Sequence, residues 1–187
     1  MTEWSDGKLL EQVCKGSKAA FSELFLRYHP ILLDLGRRLG GEDALVEDCL
    51  QEYFLYLFEH RAALDAVRNP RVYLLTSFRR RLLRELVTAR RRNTAPLEET
   101  GENGMLFAQS DFSSGADNLF GSARLLSKVI NQLPHRQREV LYLRYYRGLS
   151  TLETAEVMGI ARQTVLNTVH QALVRIRNSQ ILERLVD

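Results

Sequence analysis

GLSTLETAEVMGIARQTVLNTVHQALVRI, residues 148–176, reads as two short helices joined by a tight turn, and this pair decides the fold. Ser150 with Glu153 three places on is a capping-box signature for a first helix. Leu152, Ala155, Val157 and Met158 give that helix an apolar side, and Gly159 can take the left-handed conformation that ends it. A second helix starts near Ala161 or Arg162, with Val165, Val169, Leu173 and Ile176 on one face at helical spacing. Its other face shows Arg162, Gln163, Asn167, His170, Gln171 and Arg175, with no acid between Arg162 and Arg175. Such side chains reach base edges and phosphates in a major groove. A polar helical hairpin within a bundle would share the spacing. The acid-free polar face favours DNA.

Working outward, residues 93–121 break the helical pattern with Pro96, four glycines and scattered serines, and read as a linker with short ordered pieces around Met105–Phe107 and Phe112. Four helices precede it. Ser5 caps a short one through about Cys14, and Ser17 caps a longer one to about Leu39. The apolar stripe of the longer one includes Phe21, Leu24, Phe25, Tyr28, Ile31 and Leu35, and Pro30 is expected to kink it. After Gly40–Gly41, Glu42–Asp43 begin a third helix to about Arg61; Asn69–Pro70 open a fourth to about Arg92. Beyond the linker come a helix near Asn118–Gln132, one from Pro134 to about Arg147, and the helical pair. No period-2 strand of useful length interrupts them. The expectation is an all-α chain with two helical domains, residues 1–92 and 122–187, joined by an acidic linker, residues 93–121; 187 residues suffice for two small cores.

The net charge of +3 is unevenly spread: −4 over residues 1–70, +7 over 71–92, −5 over 93–121 and +5 over 122–187. Alternating blocks suggest two nucleic-acid-facing surfaces and an acidic connector, although a solvated face can also be basic. No apolar run approaches the ~20 residues of a membrane span, and the polar start MTEWSDGK is no signal peptide, so no membrane insertion is expected. Cys14 and Cys49 have no CxxC partner and suit a reduced, cytoplasmic protein. His29, His60, His135 and His170 are scattered without ligand spacing, as surface or capping residues would be. No phosphate-cradling loop, nucleophile elbow, metal-ligand set or cofactor motif appears, which argues against an enzyme.

Two stretches of the first half sharpen the function. In VEDCLQEYFLYLFEHR, residues 46–61, Val46, Leu50, Phe54, Leu57 and Phe58 can face a core, while Glu47, Asp48, Gln51, Glu52 and Tyr56 lie elsewhere. Taken alone, that acidic face is explained by solvation. In RVYLLTSFRRRLLRELVTARRR, residues 71–92, Tyr73, Leu74, Phe78, Leu82 and Leu86 make the buried stripe, surrounded by Arg79, Arg80, Arg81, Arg84 and Arg90 to Arg92. Guanidinium forks with Tyr73 as a stacking partner suit a melted strand. A basic solvated helix over aromatic core residues fits equally well.

In order and spacing these pieces resemble a bacterial sigma-70-family factor of the extracytoplasmic-function type, which has only domains two and four. The domain-two likeness runs from AFSELFLRYHP through LVEDCLQEYFLYLF to VYLLTSFRRRLLREL; the domain-four likeness runs from LPHRQREVLYLRYYRGLS through TAEVMGIARQTVLNTVHQALVRIR. The resemblance implies an initiation factor that binds core RNA polymerase and promoter DNA, with an anti-sigma protein as a further class of partner. On it, Asp48, Gln51 and Glu52 dock on the polymerase clamp helices. Leu64, Asp65, Val67, Arg68 and Asn69 lie in the loop that captures a flipped −10 base, and Tyr73, Arg79, Arg80, Arg81 and Arg84 hold the opened strand. Arg162, Gln163, Thr164, Asn167, His170, Gln171 and Arg175 read the −35 element, and the linker threads toward the RNA exit path. The chain departs from the family at Arg80 and Arg84, where Asn and Asp are common, and at Ala161, Leu166 and Thr168, where a serine-like cap and basic residues are usual.

Two other classes share parts of the pattern. A free-standing helix-turn-helix regulator would carry the same C-terminal helices under a sensing domain, but has no reason for an arginine-rich helix beside an acidic one. A packed-helix adaptor without DNA binding is kept open by Leu166 and Thr168.

Overall fold

The computed structural model describes residues 4–92, 107–108, 111 and 120–179, without the side chains of Arg90, Arg92 and residues 120–123. Met105, Phe112 and most of the expected linker lie outside the described residues. The described residues are helical with no strand. The helices fall into two compact units, one holding α1 to α4 and the other α5 to α8.

In the first unit α1 spans Asp6–Cys14, α2 Lys18–Arg38, α3 Asp43–Glu59 and α4 Pro70–Arg92. Both expected serine caps form: Ser5 Oγ accepts from the Lys8 amide at 3.3 Å and Ser17 Oγ from the Ala20 amide at 3.2 Å. Asn69 caps α4 through Oδ1, which accepts from the Val72 amide at 3.2 Å, and Pro70 follows where no amide hydrogen is needed. The core is built from Leu24, Tyr28, Leu32 and Leu35 of α2, Val46, Leu50, Tyr53 and Leu57 of α3, and Leu74, Leu75, Phe78 and Leu82 of α4. Phe21 and Phe25, expected in the buried stripe, are only half-buried. They join an aromatic rim with α3, Phe21–Phe58 centroids lying 5.1 Å apart and Phe25–Phe54 4.7 Å.

Glycine allows α2 and α3 to approach. A Cβ built on Gly36 would overlap Val46 Cγ1, and one on Gly41 would overlap Val46 Cγ2, so either side chain would push α3 off α2. The third helix stops at Glu59, earlier than expected, with His60 as its C-cap, and the chain continues as a 3₁₀ turn over Arg61–Ala66. α1 packs against this turn and against α4, while α3 packs against α4. Cys49 is buried and Cys14 half-buried, and burial raises the pKa of both free thiols.

In the second unit α5 spans Phe120–Asn131, α6 His135–Leu141, α7 Thr151–Met158 and α8 Arg162–Arg177. The single helix expected up to Arg147 instead widens after Leu141 into a π-turn, Tyr142–Tyr146. Tyr142 and Tyr146 stack there at 5.3 Å, with the Arg147 guanidinium 5.1 and 5.3 Å from their ring centroids. Phe107 is buried against this unit, its amide donating to Asn131 Oδ1 at 2.8 Å and its carbonyl accepting from Asn131 Nδ2 at 2.9 Å. α8 packs on both α6 and α7. No described helix is long and apolar enough to cross a membrane.

Candidate functional site

The first unit presents α3 and α4 side by side. Tyr53 crosses between them: its hydroxyl lies 2.7 Å from Ser77 Oγ and 3.2 Å from the Leu74 carbonyl, and burial pushes its pKa well above the ordinary phenol value. The outer face of α3 carries Asp48, Gln51 and Glu52, all exposed, and so groups the three expected docking residues on one surface. Sequence reading overlooked Leu55, which is 58% exposed in the middle of that face. Leu55 follows Gln51 by four places and Glu52 by three, so helical spacing alone puts it there. An exposed leucine among acids and amides is the apolar centre that a docking surface needs.

The expected separation of docking and strand-holding residues is not clean. Arg81 Nη2 meets Glu52 Oε2 at 2.6 Å, so Arg81 pairs with α3 rather than standing ready for a phosphate. Arg80 and Arg84 are exposed on α4, and Arg79 is half-buried. Tyr73 is half-buried too; burial, and secondarily the neighbouring Tyr56, raises its pKa, so the ring stays neutral. Tyr56 is exposed and stacks on His60 with centroids 4.1 Å apart.

Within the expected base-capturing loop, Asp65, Arg68 and Asn69 are exposed and Val67 is half-buried. Leu64 must be corrected. It is 2% exposed because the 3₁₀ turn directs it into the core, where it anchors the loop and cannot reach a base.

In the second unit the helical pair forms as expected. Ser150 Oγ accepts from the Glu153 amide at 3.2 Å, and Glu153 Oε2 accepts from the Ser150 amide at 2.8 Å. Gly159 closes α7 at φ +65, a left-handed conformation that disfavours any side chain. α8 begins at Arg162 behind Ala161, which supplies no capping side chain, so the first-turn amides keep their capacity to bind an anion. Arg162, Gln163, Thr164, Asn167, His170, Gln171 and Arg175 are all exposed. Gln163 Nε2 donates to Asn167 Oδ1 at 3.0 Å.

Parts of the expected helix phase are corrected. Leu152 and Leu173 are 64% and 47% exposed, while Thr154 and Ala172 are fully buried in their place. The true seam of α8 runs through Val165, Ala172 and the half-buried Thr168, Val169 and Ile176. Thr168 is half-buried and donates its hydroxyl to the Thr164 carbonyl at 2.7 Å, whereas Leu166 stands exposed.

Comparison with known proteins adds an independent view of these surfaces. The family model for Sigma-70 region 2 matches residues 24–92, and that for Sigma-70, region 4 matches residues 123–176. The ECF RNA polymerase sigma factor SigL of Mycobacterium tuberculosis is 29% identical over 160 residues, covering 85% of this chain and 88% of its own length. Among solved structures, CnrH in complex with the cytosolic domain of CnrY superposes with a TM-score of 0.60 at 20% identity, over 92% of this chain and 94% of that one. The sigma factor RpoE in complex with the anti-sigma factor NepR, from Bartonella quintana, gives a TM-score of 0.54 at 20% identity, over 87% and 96%. At that identity the two structures share the fold.

Proposed function

The chain belongs to the sigma-70 family as a factor of the extracytoplasmic-function type, and we propose that it binds core RNA polymerase through α3 and directs it to promoters with a −10 and a −35 element. Asp48, Gln51, Glu52 and Leu55 make the docking face. Asp65, Val67, Arg68 and Asn69 select a −10 base, while Tyr73, Arg79, Arg80 and Arg84 hold the opened strand. Arg162, Gln163, Thr164, Asn167, His170, Gln171 and Arg175 bind the −35 element. Residues 1–92 thus form the polymerase and −10 domain, 93–121 a linker and 122–187 the −35 domain. The factor adds no catalytic group: it positions and melts DNA, and phosphodiester chemistry stays with the polymerase in the cytoplasm. An anti-sigma protein is its natural antagonist.

One observation carries this reading: the exposed acidic and apolar face of α3 lies in the same unit as the arginine-rich α4, which packs against it. A free-standing regulator has no use for that pairing, and both Sigma-70 regions are matched in order. The test is co-purification of the full chain with core polymerase, then run-off transcription from genomic fragments. Stable binding to core with promoter-specific transcripts is expected. Promoter binding without polymerase, and no association with core, would favour the regulator.

A further inference from the structure

We propose that Gln163 and Asn167 act as one amide couple that reads an adenine in the −35 element. This rests on the proposed placement of α8 in the major groove and names the base its centre recognises. Val165 and Ala172 are fully buried and fix the inward direction of α8. At about 100° per residue, Asn167 lies about 200° round from Val165 and Gln163 about 160°, so both stand opposite the seam. Arg162 and Arg175 fall about 60° and 80° from the seam on opposite sides. A helix entering a groove polar face first therefore aims amides at the base edges and turns its cations toward the flanking backbones.

The hydrogen bond between the two side chains decides what the amides read. Gln163 Nε2 donates to Asn167 Oδ1 at 3.0 Å, which occupies one lone pair of that oxygen and fixes the sense of the Asn167 carboxamide. The second lone pair of Oδ1 and the hydrogens of Nδ2 remain, an acceptor beside a donor. Adenine offers the complement on its major-groove edge, an N6 amino donor beside the N7 acceptor. Guanine presents two acceptors, N7 and O6, and sets O6 against Oδ1. Turning the Asn167 carboxamide over would set Nδ2 against O6 but Oδ1 against N7, so guanine is matched in neither sense, and the turn would also break the bond with Gln163. Mutual restraint also orders both side chains before DNA arrives, which lowers the entropy cost of binding. No carboxylate lies on α8 to accept from a cytosine amino group.

The test uses holoenzyme assembled from the full chain and core polymerase, on a promoter library randomised over both elements. Wild-type holoenzyme should enrich adenine at one −35 position. Asn167→Ala should abolish that preference and leave the other positions alone, and Gln163→Ala, which releases the Asn167 carboxamide, should reduce the preference for adenine there. On a fixed promoter, 7-deazaadenine at that position should weaken wild-type binding roughly fivefold to a hundredfold and leave Asn167→Ala unaffected. If Asn167→Ala keeps every base preference while Arg175→Ala weakens promoter binding, the amide couple is overturned and the −35 placement stands. If neither substitution changes binding, the placement of α8 on DNA falls, and the couple with it.

Discussion

Arg81 and Glu52 stand on different helices, and sequence reading gave them different tasks; exchanging their charges separates the structural contribution of the pair from docking. The ion pair is short, 2.6 Å, but Glu52 is 65% exposed and Arg81 27% exposed at the side chain. Water and salt screen a pair so placed, and it contributes about 0.5–1 kcal/mol, well below the 3–5 kcal/mol lost when a buried pair is broken. Glu52→Arg or Arg81→Glu alone replaces attraction with repulsion of similar size, so each should cost about 1–2 kcal/mol. The double exchange restores opposite charges across the same gap and should recover most of that loss. Trp4 is the chain's single tryptophan and lies in the α1–α4 unit, its carbonyl accepting from Arg27 at 2.9 Å. Its fluorescence during urea unfolding therefore follows this unit, and the four variants form a double-mutant cycle.

Core binding should divide differently. The double exchange keeps α3 folded but puts a cation on its acidic face, so association with core polymerase should slow and become less dependent on the original salt-sensitive attraction. Stability restored with docking still impaired is the expected pattern. A coupling energy indistinguishable from zero would mean that the pair does not hold α3 to α4 in solution. A double exchange that binds core as well as wild type would remove Glu52 from the docking face.

Three further outcomes follow from burial and spacing. Leu55→Ala should leave stability within about 0.5 kcal/mol and weaken core binding by about 1–2 kcal/mol, measured by titration of labelled protein with core. Gly36→Ala should lower the urea midpoint by a net cost of about 1–2 kcal/mol, because overlap with Val46 outweighs the roughly 1 kcal/mol that alanine gains in a helix. Leu166→Arg should steepen the dependence of log K on log salt by about 0.9 in holoenzyme–promoter binding, without altering −35 preference; an unchanged slope would place Leu166 away from phosphate.

Local chemistry was legible and tertiary choice was not. The serine caps, the capping box of Ser150 and Glu153, the left-handed Gly159 and the Asn69–Pro70 opening of α4 depend on residues within four positions of each other, and the chain carries their signals openly. The order of acidic α3, arginine-rich α4 and the helical pair was readable for the same reason. Errors came where two apolar choices competed for one seam. On α8, Leu173 and Ala172 are neighbours, and hydrophobicity favours leucine; the structure buries alanine, which lies in phase with Val165 on the side where α8 packs on α6 and α7. On α7 the phase differs instead: Thr154 is buried although polar, and Leu152, about 200° round the helix from it, is exposed.

The docking and DNA surfaces share this limit in another form. Leu64 looked like a loop residue, since a short connection between two helices seldom suggests a buried side chain, yet a 3₁₀ turn is enough to send it inward. Arg81 looked like one more member of an arginine cluster, and only the packing of α3 on α4 distinguishes it by bringing Glu52 within reach from 29 residues away. Charge pattern identifies a surface, but the partition of its side chains between internal pairs and external ligands depends on the neighbouring helix. Arg80 and Arg84, exposed beside the committed Arg81, are therefore the members of that cluster on which the proposed contact with an opened strand rests.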